Sequence, residues 1–187
     1  MFRRRCGELL YRQAPVEADL ICPVPDSGTP SAIGFAQESG IPFAEGLVKN
    51  RYMGRSFIKP SQKERDLAVR LKLSPQKSVV NGKRIVLVDD SIVRGTTSAK
   101  LIKRMRKAGA KEVHFRVTSP PFMYPCYYGV DTPDRKKLIA ANLDIEEIRK
   151  QIGAESLEFI DLDSMLKLVE NPDNYCKACF TAVSYTH

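Results

Sequence analysis

The sequence predicts an α/β domain, with a mostly parallel central sheet and helices on both of its faces. Three observations carry that expectation. Residues 84–88 (RIVLV) form an unbroken apolar run, the pattern of a strand covered on both faces. A small-residue loop, an amphipathic helical stretch and another apolar run follow in the order of a strand–helix–strand unit. A similar start lies near the N-terminus, where residues 19–25 (DLICPVP) precede a turn and a helical pattern.

Taken in order, residues 3–13 read as a basic helix with Cys6, Leu9 and Leu10 at helical spacing and Pro15 as its stop. Residues 19–25 read as a short buried strand closed by Pro23 and Pro25, and Asp26, Ser27, Gly28 and Thr29 as a turn. Residues 29–39 are helical, with Ala32, Ile33 and Ala36 on one face and Gly40 as the stop. Residues 41–43 suit a short edge strand. The polar, basic stretch 45–61 has no clean period and reads as a long loop or an irregular pair of short elements. Residues 63–71 are weakly helical, and Asn81-Gly82 is a turn feeding the strand at 84–88.

From Thr97 or Ser98 to Ala108 the periodicity predicts a helix. Leu101, Ile102, Met105 and Ala108 form its apolar stripe, Lys100, Lys103, Arg104 and Lys107 its wet face, and Gly109 its cap. A strand follows at 113–117. Residues 120–134 are loose, 135–152 hold one or two helices, 157–160 a late strand and 164–169 a short helix. A domain over residues 1–170 and a turn-rich, cysteine-containing tail over 171–187 are expected.

Composition narrows the class. A chain of 187 residues is about one domain, and 43% hydrophobic residues is too many for a disordered chain. No apolar run reaches the roughly 18 residues of a membrane helix, so no membrane partner is expected. The start, MFRRRC, does not read as a signal peptide. Five cysteines without a disulfide-scaffold spacing point to a reducing cytoplasm. The net charge of +8 suits either nucleic acid or a polyphosphate substrate. A basic nucleic-acid module would bind in a salt-dependent way, but no basic–aromatic alternation argues for base stacking.

The sharpest feature is residues 84–97 (RIVLVDDSIVRGTT). A buried strand ends in two adjacent carboxylates, Asp89 and Asp90, and ligands of open α/β sheets collect at such strand ends. Ser91, Gly95, Thr96 and Thr97 supply hydroxyls and closely approachable N–H groups, and the following helix adds its unpaired donors, which makes a phosphate cradle. Carboxylates beside a phosphate make sense if they hold Mg²⁺ or the hydroxyls of a sugar. There is no GxxxxGK and no dinucleotide fingerprint.

Residues 86–97 resemble the ribosyl-phosphate signature of type I phosphoribosyltransferases, and VLVDDSIVRGTTSAK is similar to the form found in the glutamine phosphoribosylpyrophosphate amidotransferase family. The resemblance implies a type I phosphoribosyltransferase-like fold. Asp89 and Asp90 would then approach the ribose hydroxyls and the metal. Ser91, Ile92, Val93, Arg94, Gly95, Thr96 and Thr97 would hold the 5′-phosphate. Residues 23–28 (PVPDSG) resemble the family's pyrophosphate loop, with Asp26, Ser27 and Gly28 binding diphosphate and Ser27 its Mg²⁺. Residues 49–60 (KNRYMGRSFIKP) resemble the loop that closes over phosphoribosylpyrophosphate. Lys49 and Arg51 would contact substrate, while Arg55 and Lys59 would act on the departing pyrophosphate. The resemblance spans roughly residues 12–180.

The same family implies a [4Fe–4S] site in some members, matched here by Cys126 in the PCYYG segment and by Cys176 and Cys179 in CKACF. The fourth ligand is absent, which leaves an apo site, a cluster with a substitute ligand, or inert thiols. Zn²⁺ is an alternative occupant.

An amidotransferase makes phosphoribosylamine in the first step of purine synthesis, using ammonia from an N-terminal glutaminase domain. Nothing in this sequence resembles that domain, so a glutaminase partner or a missing domain is expected, along with a homo-oligomer. The reaction implied for this chain joins ammonia to phosphoribosylpyrophosphate, giving 5-phosphoribosylamine and pyrophosphate. A non-catalytic phosphoribosylpyrophosphate-binding fragment and a salvage-type transferase for free bases are the alternatives within the fold.

Overall fold

The computed structural model describes residues 1–49, 73–126, 132 and 134–182. Helix α1 (Phe2–Gln13) leads into strand β1 (Leu20–Pro23), and helix α2 (Thr29–Ser39) follows it. The expected bounds of α2 hold, because Pro30 sits in its first turn and Gly40 ends it at φ +70°. Strands β2 (Leu47–Lys49) and β3 (Leu73–Pro75) pair antiparallel, and the short helix α3 (Lys77–Val80) comes next. Strand β4 (Arg84–Asp89), helix α4 (Thr96–Lys107) and strand β5 (Glu112–Val117) make the expected strand–helix–strand unit.

Two turns of 3₁₀ helix, Arg135–Lys137 and Ile139–Ala141, then precede helix α5 (Ile145–Ile152). The start of α5 is fixed by a reciprocal cap. The Asp144 carboxylate accepts from Glu147 N at 2.8 Å and the Glu147 carboxylate accepts from Asp144 N at 2.9 Å. Strand β6 (Ser156–Phe159) and helix α6 (Leu162–Leu166) follow. The sequence places that last helix at 164–169, but it starts earlier because Asp161 caps it, accepting from Ser164 N at 2.8 Å. Within the tail, residues 178–181 form a helix, α7 (Ala178–Thr181).

The main sheet has the order β1-β4-β5-β6 with every pairing parallel. The segment after α2 returns to the free edge of β1, where Ile21 N donates to Pro42 O at 2.8 Å and Ala44 N to Ile21 O at 3.0 Å. The expected edge strand at 41–43 is thus a single parallel bridge between Ile21 and Phe43. The chain leaves β1 toward one edge and later places β4 on its other side. Between the carboxyl ends of β1 and β4 lies the crevice that such a reversal creates.

Side-chain alternation divides the core in two. Cys22, Ile85, Leu87, Val113, Phe115 and Leu157 face α4 and α5. On the other face Ile21, Val86 and Val88 pack with Cys6 and Leu10 of α1 and with Ala32, Phe35 and Ala36 of α2. Ile33, expected on the buried face of α2, is exposed, and Phe35 takes its place. Helices α1 and α2 touch through backbone. A Cβ added at Gly7 would lie 1.9 Å from Ser31 O, and one at Gly34 2.0 Å from Arg4 O. Among the described residues, no helix is long and apolar enough to cross a membrane.

Candidate active site

Strand β4 ends at Asp89, Asp90 follows it, and the 26–28 turn after β1 arrives beside that strand end. Only glycine fits the junction. A Cβ on Gly28 would stand 2.4 Å from Val88 O, 2.8 Å from Val24 O and 3.2 Å from the Asp89 Cα. The turn is further tied down by Val24 N donating to Val88 O at 2.9 Å and Gly28 N to Val24 O at 3.0 Å. The Pro25–Asp26 peptide bond is cis.

Asp89 keeps only partial access to solvent, and desolvation raises its carboxyl from the ordinary 3.8 to about 8. The neighbouring Asp90 charge pushes the same way, while Asp90 N, donating to Asp89 Oδ1 at 2.8 Å, opposes it. Asp90 turns its Oδ2 toward the Arg3 guanidinium at 3.8 Å and its Oδ1 toward Ser91 Oγ at 3.5 Å.

An open cleft of about 610 Å³ lies beside the 26–28 turn and brings together Asp26, Ser27, Lys49, Thr96 and Thr97 of the expected residues. Lys49, at the end of β2, forms an ion pair with Asp26. Thr96 and Thr97 open α4, whose N-cap, Gly95, has φ +72° and is pressed against Ile139, so that a Cβ would come 2.5 Å from the Ile139 Cδ1. The first turn of α4 therefore offers unpaired N–H groups and two hydroxyls to the cleft.

Asp90, Ser91 and Val93 line a second cavity of about 540 Å³ instead, together with Arg3, Thr118, Ser119 and Phe122. The Ile92 side chain is buried in the core, 2% exposed, and its neighbour Val93 spends its carbonyl on Ile139 N at 2.9 Å. These contacts anchor the loop through the Ile92 side chain and the Val93 carbonyl, and neither uses a backbone N–H group, the donor a phosphate would take. Arg94 is exposed and lines neither cavity. Arg51, Arg55 and Lys59, and most of the expected closing loop with them, lie outside the described residues.

Three cleft-side or loop-tying residues were not singled out from sequence as site residues. Lys100 and Arg104 line the cleft, and Arg104 Nη1 also donates to Leu73 O at 3.1 Å. Their spacing from Thr97, one and two helical turns, is the signal that finds them. Arg3 Nη1 donates to Ser27 O at 2.9 Å, an approach set by how α1 sits on α2 and carrying no local sequence signal.

The cysteines give a different result. Backbone N–H groups of Met123 and Tyr124 donate to Cys179 O at 3.0 and 3.1 Å, and Phe122 packs on Phe180 with ring centroids 5.2 Å apart. Cys126 and Cys179 thereby become neighbours. The Cys179 thiol is raised by burial first and then by Cys126 and Cys176. Three thiols do not make the four-thiolate set of an iron–sulfur cluster. Among the described residues no group of three or more His, Cys, Asp or Glu side chains is arranged to hold a metal ion. The expected cluster site at Cys126, Cys176 and Cys179 does not fit the group, and no chemistry is derived through it.

None of the five cysteines is in a disulfide, and burial pushes the Cys6 and Cys22 thiols up to about 11. A disulfide reagent near neutral pH is expected to label exposed Cys176 first and to reach Cys6 and Cys22 only on unfolding. Mass mapping of the labelled peptides checks the order.

A crevice at the reversal of a parallel sheet, with paired acids on one strand end, a pressed glycine turn on the next and a helix N-terminus between them, defines a phosphoribosyltransferase-type site. The family model described as "Phosphoribosyl transferase domain" matches residues 6–124, and the chain belongs to that family. More particularly, it is 56% identical over 179 residues to the amidophosphoribosyltransferase of Methanocaldococcus jannaschii, covering 96% of this chain and 38% of that protein. It is 53% identical over 180 residues to the chloroplastic amidophosphoribosyltransferase of Vigna aconitifolia, covering 96% of this chain and 37% of that one. The solved glutamine phosphoribosylpyrophosphate amidotransferase from B. subtilis, complexed with ADP and GMP, superposes with a TM-score of 0.90 at 47% identity over 100% of this chain and 42% of its own. The chain spans well under half the length of these relatives.

Proposed function

We propose that this chain binds phosphoribosylpyrophosphate and transfers the nitrogen of ammonia to C1 of its ribose, giving 5-phosphoribosylamine and pyrophosphate for purine synthesis. The observation that supports this most directly is the contact of Gly28 with the end of β4, which sets a turn suited to diphosphate against a carboxylate pair suited to ribose. In this reading the start of α4, with Gly95, Thr96 and Thr97, takes the 5′-phosphate, and the 26–28 turn takes the diphosphate. The nitrogen lone pair forms the new bond to C1 while the C1–O bond to diphosphate breaks, and the extra proton on nitrogen leaves to water. Such a loose transition state needs its leaving group stabilised more than it needs a strong base. Lys49, held at the cleft by Asp26, supplies one cation for that purpose, and Arg51, Arg55 and Lys59 are proposed to supply the others.

The donor chemistry of Asp89, Asp90 and Ser27 fits Mg²⁺, since all are hard oxygens and two of them are adjacent carboxylates. Those residues would hold the ion, which when bound would screen the diphosphate charge. A homo-oligomer in the cytoplasm, fed with ammonia by a glutaminase, completes the proposal. It is supported by the similarity to amidophosphoribosyltransferases and by five cysteines of which none is in a disulfide.

The test is pyrophosphate release from phosphoribosylpyrophosphate and Mg²⁺ with ammonium, or alternatively with free purine and pyrimidine bases. Release with ammonium alone supports the reading. Release only with a base would reassign the acceptor, and binding by calorimetry without release would make the chain a non-catalytic binder.

A further inference from the structure

The geometry points to Arg3, on the first turn of α1, as a positioning residue that clamps the diphosphate turn to the carboxylate pair. A single nitrogen does both tasks. Nη1 donates to Ser27 O at 2.9 Å and lies 3.8 Å from Asp90 Oδ2. Holding the Ser27 carbonyl toward α1 fixes the peptide whose N–H, on Gly28, donates to Val24 O at 3.0 Å, and the same positive charge offsets the nearer of the two acids.

An exposed arginine would ordinarily contribute little, because its entropy offsets its contacts. Here the backbone beneath it is fixed. Gly7 and Gly34 let α1 and α2 meet backbone to backbone, so α1 cannot roll without colliding with Ser31 O or presenting Arg4 O to α2. Ser31 Oγ, fully buried, donates to the carbonyl of Arg3 itself at 3.0 Å. It also lies 3.1 Å from Thr118 Oγ1, whose single proton goes either to Ser31 Oγ or to Asp89 O at 3.2 Å. A line of close polar contacts therefore runs from the Arg3 backbone through α2 and the residue after β5 to the backbone of Asp89, while the Arg3 side chain reaches Ser27 and Asp90. The turn and the acids belong to elements far apart in sequence, and these contacts hold them in one register.

The clamp concerns the unliganded chain and is tested there. Its consequence for catalysis rests on the function proposed above. Amide hydrogen exchange at Gly28 and Thr29, whose N–H groups donate to Val24 O and Asp26 O, reads the turn directly. Arg3→Ala is expected to speed exchange at both by about tenfold, with the amides at the C-terminal end of α1 unchanged, and Arg3→Lys to restore most of the protection. If the parent chain releases pyrophosphate, the same Arg3→Ala variant should raise KM for phosphoribosylpyrophosphate about tenfold while kcat changes less, again with recovery in Arg3→Lys. Unchanged exchange at Gly28 and Thr29 in Arg3→Ala overturns the clamp. So does faster exchange that spreads along α1 and is not rescued by lysine, since that would mark a residue that merely holds the helix. A parent chain that releases no pyrophosphate overturns the assigned function instead, and the exchange ratio still decides the clamp.

Discussion

Replacing Asp89 by asparagine is expected to remove turnover and, in the ligand-free chain, to raise the melting temperature at neutral pH. The two effects share one cause. Burial at the end of β4 raises the Asp89 carboxyl to about 8, against 3.8 for an ordinary one. In the unfolded chain the group ionises near pH 4, while in the folded chain it keeps its proton until about pH 8. Between those values the folded state binds the extra proton, so this group's contribution to stability is fully present below pH 4 and is lost as pH rises, at about 1.4 kcal/mol per pH unit. Asparagine cannot ionise and escapes the loss. Melting curves of the two proteins should nearly coincide at about pH 4 and separate toward pH 8 in favour of the variant, by on the order of 5 °C after allowance for relaxation. Turnover should fall by about 10²- to 10³-fold. Saturating Mg²⁺ and phosphoribosylpyrophosphate should reverse the order in the parent's favour, because a ligand adds stability only where it binds. A variant that melts lower at pH 8, or that turns over normally, would contradict this account of the acid.

Gly28→Ala is expected to be the most damaging single methyl group in the site. Its Cβ would stand 2.4 Å from Val88 O and 2.8 Å from Val24 O, and neither is a side chain that can swing aside. The turn must therefore lift off the end of β4 by about an ångström, a displacement that can lower productive binding by about 10²-fold. Overpacking should also destabilise the chain by about 1–3 kcal/mol. Gly40→Ala is the matching control. It has no atom within 4 Å of the new Cβ but strains a φ of +70°, so it should cost about 1 kcal/mol of stability and leave ligand affinity intact. Calorimetric titration and thermal melts of both variants separate the two effects.

How much of this was legible depended on how local each cause is. The apolar run of β4, the amphipathic stripe of α4 and the Pro and Gly bounds of α2 are written within a few residues, and all three elements stand where their patterns place them. The β2–β3 pair was not, since Leu47 meets Pro75 across a long separation and neither three-residue strand has room for a period. At the site, the acids and the glycine turn could be found as motifs. Ile92 could not be recognised as core, because the motif that contains it reads as ligand loop while its burial comes from the cluster beneath α4 and α5. The depth of Asp89 depends on the turn pressed over it, and the reach of Arg3 depends on two glycines in different helices; neither is a property of its own neighbourhood in sequence.

The parallel pairing of Leu20 with Ile85, which joins the edge strand β1 to β4, has a consequence for how the chain matures. Strand β1 is synthesised early but has no long hydrogen-bonded neighbour until β4 has been made, and closing so long an intervening stretch is slow. A nascent chain halted before that point would expose Ile21 and Cys22 as an unpaired ribbon, a target for chaperones and a seed for aggregation. Because β1 carries the glycine turn and β4 carries the acids, the event that relieves this hazard is also the one that assembles the pocket.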